Sequence, residues 1–445
     1  MPEINSVNFI FAVKSPHKLK IDGIFQTISH RQKTEIVCYN SNASVEEYSP
    51  KYESVDADVF IGYLKDNSKT AFTGFLHGCL YEGSIEIFNR LKNAEDLEEL
   101  KVVANELLHL DGAYSFILES NFGTIVGRDP FGLKPLYIST ENNSIFISTE
   151  MKPIKLFSEN FSNVEPGRIF ILDDNTTLAK FSFEELKSND ETDSELLANL
   201  LDNSVKRKIQ RSNKIAISFS GGLDSSIIAN IAMKYKKIIG INVRISGSYD
   251  YSNTTNFAKS LGLDIIEVEP TKDQIIDNIK PIQSIIESNK PLDISIALGF
   301  FFSASRAKSE GYSDLFVGQF ADELFGGYLR YFNTFCNEGS LSYNNMMMND
   351  IKNAYRINFE RDEKITSPFV DLHLPYASFD VVGFAINCPS TLKFDCSKEI
   401  RKKILRDAGS NLGLPVDILS QQKKAIHFSS GIDKIVKKNL LRLNI

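Results

Sequence analysis

Apolar and polar positions follow two different rules along this chain. From Val7 to about Leu172, short β-branched and aromatic runs are broken by Gly, Asn and Asp, the pattern of strands closed by turns. Residues 114–118, 124–126, 136–138 and 144–148 are such runs, and 94–108 is the helical stretch among them. From Phe183 to Ser194 the chain turns polar and acidic, with Glu184, Glu185, Asp190, Glu191 and Asp193, as a solvated linker would. Beyond it the apolar period lengthens. Leu196, Leu197, Leu200, Leu201 and Val205 share one face of a helix over 196–209. Strands at 215–219, 238–245 and 265–268 then alternate with helices at 226–234 and 253–261, which predicts a parallel, doubly wound sheet. The expected organisation is a strand-rich domain over 1–182, a linker over 183–193 and an α/β domain over 194–445.

Composition narrows the class. A chain of 445 residues with 42% hydrophobic and 24% charged residues is globular and too long for one ordinary core. A net charge of −7 argues against nucleic acid or an anionic membrane surface as the primary partner. No apolar run reaches the length of a membrane span, and the first residues lack the basic and apolar regions of a signal peptide. The five cysteines (Cys38, Cys79, Cys336, Cys388 and Cys396) are scattered and form no CxxC, which suggests reduced thiols and a cytoplasmic location.

Chemistry concentrates after the first strand of the second domain, at Ser220-Gly221-Gly222-Leu223-Asp224-Ser225-Ser226. Glycines between a buried strand and a helix permit a tight turn, and the free N–H groups of the helix start face an anion. Ser220, Ser225 and Ser226 add hydroxyl donors, and Asp224 is suited to hold Mg²⁺ against phosphates. No Gly-Lys-Ser/Thr ending follows, so this is not a Walker A loop.

The string resembles the pyrophosphate-binding loop of ATP pyrophosphatases, asparagine synthetases in particular. Further similarities follow in order: Val243 to Asp250 with a Gly-Ser-x-Asp turn, Val317-Gly318-Gln319-Phe320-Ala321-Asp322-Glu323 running into Gly326-Gly327-Tyr328, Ser367 to Asp371, and Gln422-Lys423-Lys424 ahead of Phe428. The resemblance implies ATP and Mg²⁺ as cofactors. Adenosine would be held at the backbone of Phe219, Val243, Val317 and Gly318, the metal by Asp224 and Asp322, and Gln319, Glu323 and Lys424 would stand at catalytic positions, Lys424 being preferred to Lys423. By pattern alone, Asp322-Glu323 is an acidic pair at a helix start and Lys423-Lys424 a solvated face. The family carries glutamate where this chain has Gln319. An amide orients by hydrogen bonding but is no base near neutral pH.

In the first domain, Asp111-Gly112, Gly127-Arg128-Asp129-Pro130-Phe131-Gly132-Leu133-Lys134-Pro135 and Ser148-Thr149-Glu150 resemble the class II glutamine amidotransferase domain, an N-terminal-nucleophile sandwich of β-sheets between helices. Its cysteine at residue one is absent: position 2 is Pro2, and Gln32-Lys33-Thr34 and His77-Gly78 replace its substrate and oxyanion segments. Glutaminase activity is therefore expected to be missing, with Cys79 and His77 the one tempting pair. The resemblance implies an amide-forming ligase that activates a carboxylate, aspartate or a related acid, as acyl-AMP for attack by ammonia or an amine, and it implies pairing into a homodimer. Asp293 and Ser295 are candidate contacts to the acid, or ordinary helix caps ahead of a helix at 297–304. The alternative is a nucleotide-binding regulatory protein that keeps the fold without turnover.

Overall fold

A computed structural model describes residues 5–14, 24, 27, 35–40, 43–47, 59–64, 74–188, 192–210, 212, 214–245, 251–421 and 431–442. It divides into two compact units, Met1–Ser182 and Phe183–Ile445. Among the described residues, no helix is long and apolar enough to cross a membrane.

In the first unit, twelve strands join in one hydrogen-bonded network. Neighbours are antiparallel except Asn5–Lys14, which runs parallel to Gly74–Leu80. Alternate positions of these strands (Ile10, Phe75, Ile117, Val126 and Ile147) meet in a core from which water is excluded. A helix that the sequence does not announce, Glu86–Lys92, precedes the one in the expected stretch at 94–108, Leu97–Leu108. Asp96 starts the second by accepting from the Glu99 N–H at 2.8 Å, which separates it from the first.

The second unit carries a five-stranded parallel sheet in the order Ile265–Val268, Ile238–Val243, Ile215–Ser218, Asp314–Phe316, Asp371–His373. Its central strand is buried on both faces, so Ile215, Ala216 and Ile217 read as an unbroken apolar run. Helices Ser194–Gln210, Leu223–Met233, Tyr251–Leu261 and Pro291–Ser309 supply the crossovers and flanking layers. The residues after Phe183 open with a helical turn, Phe183–Leu186, whose Leu186 carbonyl accepts from the Asn387 amide at 2.7 Å.

Two expectations are corrected. The helix at Pro291–Ser309 begins six residues ahead of 297, because Pro291 occupies its first turn, where a missing N–H costs nothing. Asp293 and Ser295 therefore lie within the helix and not before it. The expectation of reduced thiols fails at one pair: Cys336 and Cys396 form a disulfide, their Cα atoms 5.9 Å apart. Helix Leu329–Glu338 and the hairpin made by Phe394–Asp395 and Ile400–Arg401 bring the two together across 60 residues, which no local spacing reveals.

Candidate active site

Three parallel strands, Ile215–Ser218, Ile238–Val243 and Asp314–Phe316, end at one edge of the sheet, where open α/β folds bind ligands. A cavity of about 410 Å³ opens there. Helix Leu223–Met233 starts directly after Gly222, earlier than the expected 226, so its unpaired N–H groups belong to the loop itself. Gly221 has φ +73°, and a Cβ on it would sit 3.1 Å from Thr254. Ser225 Oγ closes the loop, accepting from the Ser220 N–H at 3.3 Å and donating to the Gly222 carbonyl at 3.2 Å. The Asn242 amide donates to the Phe219 carbonyl at 2.9 Å and ties loop to sheet. Gly318 allows the neighbouring strand end to approach: a Cβ there would lie 2.9 Å from that of Asp224.

Of the residues expected to hold the nucleotide, Phe219, Ser220, Gly222, Asp224, Ser225, Val243, Val317 and Gly318 line the cavity. Gly221 and Ser226 do not: Gly221 shapes the turn, and Ser226 is fully buried, one residue too far along the helix to face the cavity. Asp224 and Asp322 converge as expected, joined by a group that pattern reading misses. Lys402 Nζ lies 2.6 Å from Asp224 Oδ1 and 2.5 Å from Asp322 Oδ1, with only 3% of its side chain exposed. Burial pulls its ammonium below the ordinary lysine range, and Asp224 opposes that pull. Lys402 sits at φ +55° after the hairpin, whose Arg401 donates to the Gly327 carbonyl at 2.8 Å. Arg406 also lines the cavity, held by the Arg401 carbonyl at 2.9 Å.

Around Gln319 the wall is polar and closely paired. Its amide donates to Asp362 Oδ2 at 2.8 Å, and Arg361 Nε binds the other oxygen of Asp362 at 2.8 Å. Burial raises Asp362 above the ordinary carboxylate range, while Arg361 and Gln319 work against that. The residue after Gln319 is strained: Phe320 has φ +77°, in the left-handed region. A buried edge-to-face contact with Phe359, ring centres 5.1 Å apart, holds it there.

Glu323 does not reach the cavity. It is 3% exposed and accepts from Tyr328 Oη at 2.6 Å and from the Asn358 amide at 2.8 Å. Burial raises its carboxyl above the usual range. Tyr328 and Asn358 themselves line the cavity, Asn358 from a wide π-type turn at Tyr355–Phe359. Ser295 lines it too, but spends its hydroxyl on the Pro291 carbonyl at 2.8 Å. Lys423, Lys424 and the Gly-Ser-x-Asp turn lie outside the described residues.

Asp224 and Asp322 suit a magnesium ion. Each keeps about a fifth of its side chain exposed (21% and 22%), and both line the cavity. Mg²⁺ takes one or two carboxylates and completes its shell with water and phosphate oxygens, so a larger cluster is not needed. Among the described residues no group of three or more metal-ligating side chains occurs.

In the first unit the Arg128-Asp129 turn proves to be a brace. Arg128 is fully buried and donates to the carbonyls of Lys134, Gly132 and Val164 at 2.7, 3.0 and 3.0 Å. Asp129 accepts from the N–H groups of Tyr114, Phe131, Leu133 and Lys134 at 2.9–3.2 Å. Burial raises its pKa to about 6 despite those donors. His77 is buried on the strand that carries Cys79, two positions away on the same face. Pro2 and residues 30–34 lie outside the described residues.

Both units are similar to known proteins. The family model described as asparagine synthase matches residues 196–354, and that of a glutamine amidotransferase domain matches 86–156. A putative asparagine synthetase [glutamine-hydrolyzing] 1 of Methanocaldococcus jannaschii is 27% identical over 431 residues, covering 84% of this chain and 76% of that one. The asparagine synthetase [glutamine-hydrolyzing] of Sandersonia aurantiaca is 27% identical over 347 residues, 73% of this chain and 65% of its own. The root asparagine synthetase [glutamine-hydrolyzing] of Pisum sativum is 28% identical over 346 residues, 73% of this chain and 58% of its own. The chain thus spans less than two thirds of the length of these plant relatives.

Proposed function

We propose that this chain, which belongs to the asparagine synthetase family by its asparagine synthase and glutamine amidotransferase domains, is an ATP-dependent ligase that forms carbon–nitrogen bonds. The observation that carries the reading is the Asp224–Lys402–Asp322 cluster set against the Ser220–Ser225 phosphate loop in one cavity. A carboxylate attacks the α-phosphorus of ATP, acyl-AMP forms, and pyrophosphate leaves into the loop. Ammonia or an amine then displaces AMP to give the amide. Aspartate, giving asparagine, is the default acid.

Each residue has a role in this scheme. The N–H groups at Gly222–Ser225 and the Ser220 hydroxyl bind the departing pyrophosphate. Asp224 and Asp322 would hold Mg²⁺, which when bound supplies charge neutralisation for the phosphates. Lys402 offsets the repulsion between those carboxylates and adds a positive charge beside the leaving group; Lys424 is a second candidate for that charge. The backbone at Phe219, Val243, Val317 and Gly318 frames the adenosine. Gln319, anchored on Asp362, orients the reacting groups without taking a proton. Glu323 acts through Tyr328 and Asn358 as a positioning residue. Positioning and fixed charge together are the main source of acceleration in such a site.

The glutamine amidotransferase domain serves as a scaffold in this reading, so nitrogen comes from solution. Cytoplasmic location and homodimerisation belong to the same proposal. Incubation with α-labelled ATP, Mg²⁺, candidate acids and ammonium should give AMP and pyrophosphate, faster at higher pH, where more of the nitrogen is unprotonated. ADP as the main product would overturn the ligase reading. Tight ATP binding without AMP release under any pairing would favour a regulatory protein instead.

A further inference from the structure

Beyond the phosphate loop, the cavity extends to a wall built from helix Pro291–Ser309 and the turn at Tyr355–Phe359. Apolar side chains dominate this wall: Leu292, Ile296, Phe300 and Ile357 line it, with Ser295, Asn358 and Arg361 between them, and Leu292 and Ile357 remain 47% and 51% exposed. Asp293 stands among them with 22% of its side chain accessible. Ser288 Oγ donates to its Oδ2 at 2.7 Å, which fixes the carboxylate in place.

Charge on this wall is unbalanced. The Arg361 guanidinium is 3.5 Å from Asp293 Oδ1, but its Nε is spent on Asp362 at 2.8 Å and a terminal nitrogen on the Ile357 carbonyl at 3.2 Å. One buried cation therefore serves two carboxylates, and the accessible member of the trio is Asp293. Arg330 and Arg244 also line the cavity; Arg330 pairs with Asp350 at 2.6 Å and lies over the rings of Tyr328 and Tyr331, and Arg244 pairs with Glu267 and Glu269. A second carboxylate on a substrate would meet the negative charge of Asp293 here, whereas an ammonium would meet an oriented carboxylate beside apolar side chains.

We propose that this wall is an acceptor subsite for an apolar substrate bearing an amino group, with the Asp293 carboxylate as its ammonium anchor. The inference rests on the ligase reading and replaces its default acid, aspartate, with another substrate class: an apolar amino acid or an apolar amine. The amino group belongs either to the acid that is activated or to the amine that attacks; the chemistry at Asp293 is the same, and the two sources separate experimentally. Ser288 and Arg361 act as positioning residues for the anchor.

The test is calorimetric binding to the full-length protein with ATP analogue and Mg²⁺ present, using leucine, 3-methylbutylamine, 4-methylpentanoate and aspartate. These probes share a size range and differ in the charges they carry. Leucine or 3-methylbutylamine should bind at least tenfold more tightly than 4-methylpentanoate and aspartate. Leucine preferred over the amine assigns the amino group to the acid, and the reverse assigns it to the nucleophile. Asp293→Asn should abolish the preference and leave ATP-analogue affinity unchanged, while Asp293→Glu should retain most of it. Equal binding of leucine, amine and 4-methylpentanoate by the wild-type protein, or tightest binding of aspartate, overturns the subsite, and neither result depends on any variant folding. Because binding is read without turnover, ATP cleavage to ADP would sink the ligase reading and leave the anchor standing.

Discussion

Two clusters of buried charge, one in each unit, differ in purpose. Arg128 and Asp129 face inward, and backbone groups satisfy them: three carbonyls on the arginine, four N–H groups on the aspartate. Asp224, Lys402 and Asp322 bind one another, and all three line a cavity. A charge spent on backbone holds a turn in shape. A charge spent on other side chains around an open space is available to a ligand. Motif strength does not separate these cases, since both clusters lie in segments that resemble family landmarks.

The comparison breaks most sharply at Arg128. Arg128→Met should destabilise the protein by about 3–5 kcal/mol, because it strands carbonyl acceptors and leaves Asp129 a buried charge without its cation. Urea unfolding should show that loss, and equal midpoints for variant and wild type would refute the brace.

Lys402→Ala is the counterpart in the second unit. Two carboxylates are left to repel each other and a charge is lost beside the leaving group, so ATP turnover should fall about 10²-fold or more. Asp322→Ala should do likewise. Wild-type AMP release from both folded variants would place the magnesium and phosphate site elsewhere.

The third expectation is a pH dependence. Asp129 has a folded pKa of about 6, above its unfolded value, so the folded state binds the extra proton between about pH 4 and 6. The stability that this residue confers is present at low pH and falls as pH rises through that window, by about 1–3 kcal/mol. Asp129→Asn cannot titrate. Its deficit relative to wild type should therefore be larger at pH 4.5 than at pH 7 in paired unfolding curves; a deficit that grows toward neutral pH would reverse the assignment.

The smallest effect sharpens the account of Gln319. Phe320→Gly relieves left-handed backbone strain of about 1–3 kcal/mol but deletes a buried ring, a loss of about 3–5 kcal/mol. Packing should win, leaving the variant about 1–2 kcal/mol less stable. A more stable variant would mean that strain, not packing, dominates at this peptide.

Much of the fold was legible because it is local. Strand Ile215–Ser218, the Ser-Gly-Gly turn and the helix behind it announce themselves through apolar runs and glycine placement. The domain models match on both sides of the acidic stretch that changes the apolar period. Periodicity placed helix starts less well, at Leu223 and Pro291, where loop glycine and N-terminal proline override the apolar count.

What sequence alone determined is where candidate chemistry lies: a Ser-Gly-Gly turn between a strand and a helix, two aspartates in the first turns of helices that follow strands, and a glutamine ahead of the second. Tertiary structure decided which charges meet. Glu360-Arg361-Asp362-Glu363-Lys364 has the pattern of a solvated face, yet all five are buried, with Arg361 and Asp362 building the wall behind Gln319. Lys402 lies 178 residues from Asp224 and precedes an ordinary amphipathic helix, so nothing in its neighbourhood marks it. Local pattern records what a segment exposes to water on average. Pairing of buried charge depends on distance across the fold, and it is strong because the folded chain has already removed the water between the partners.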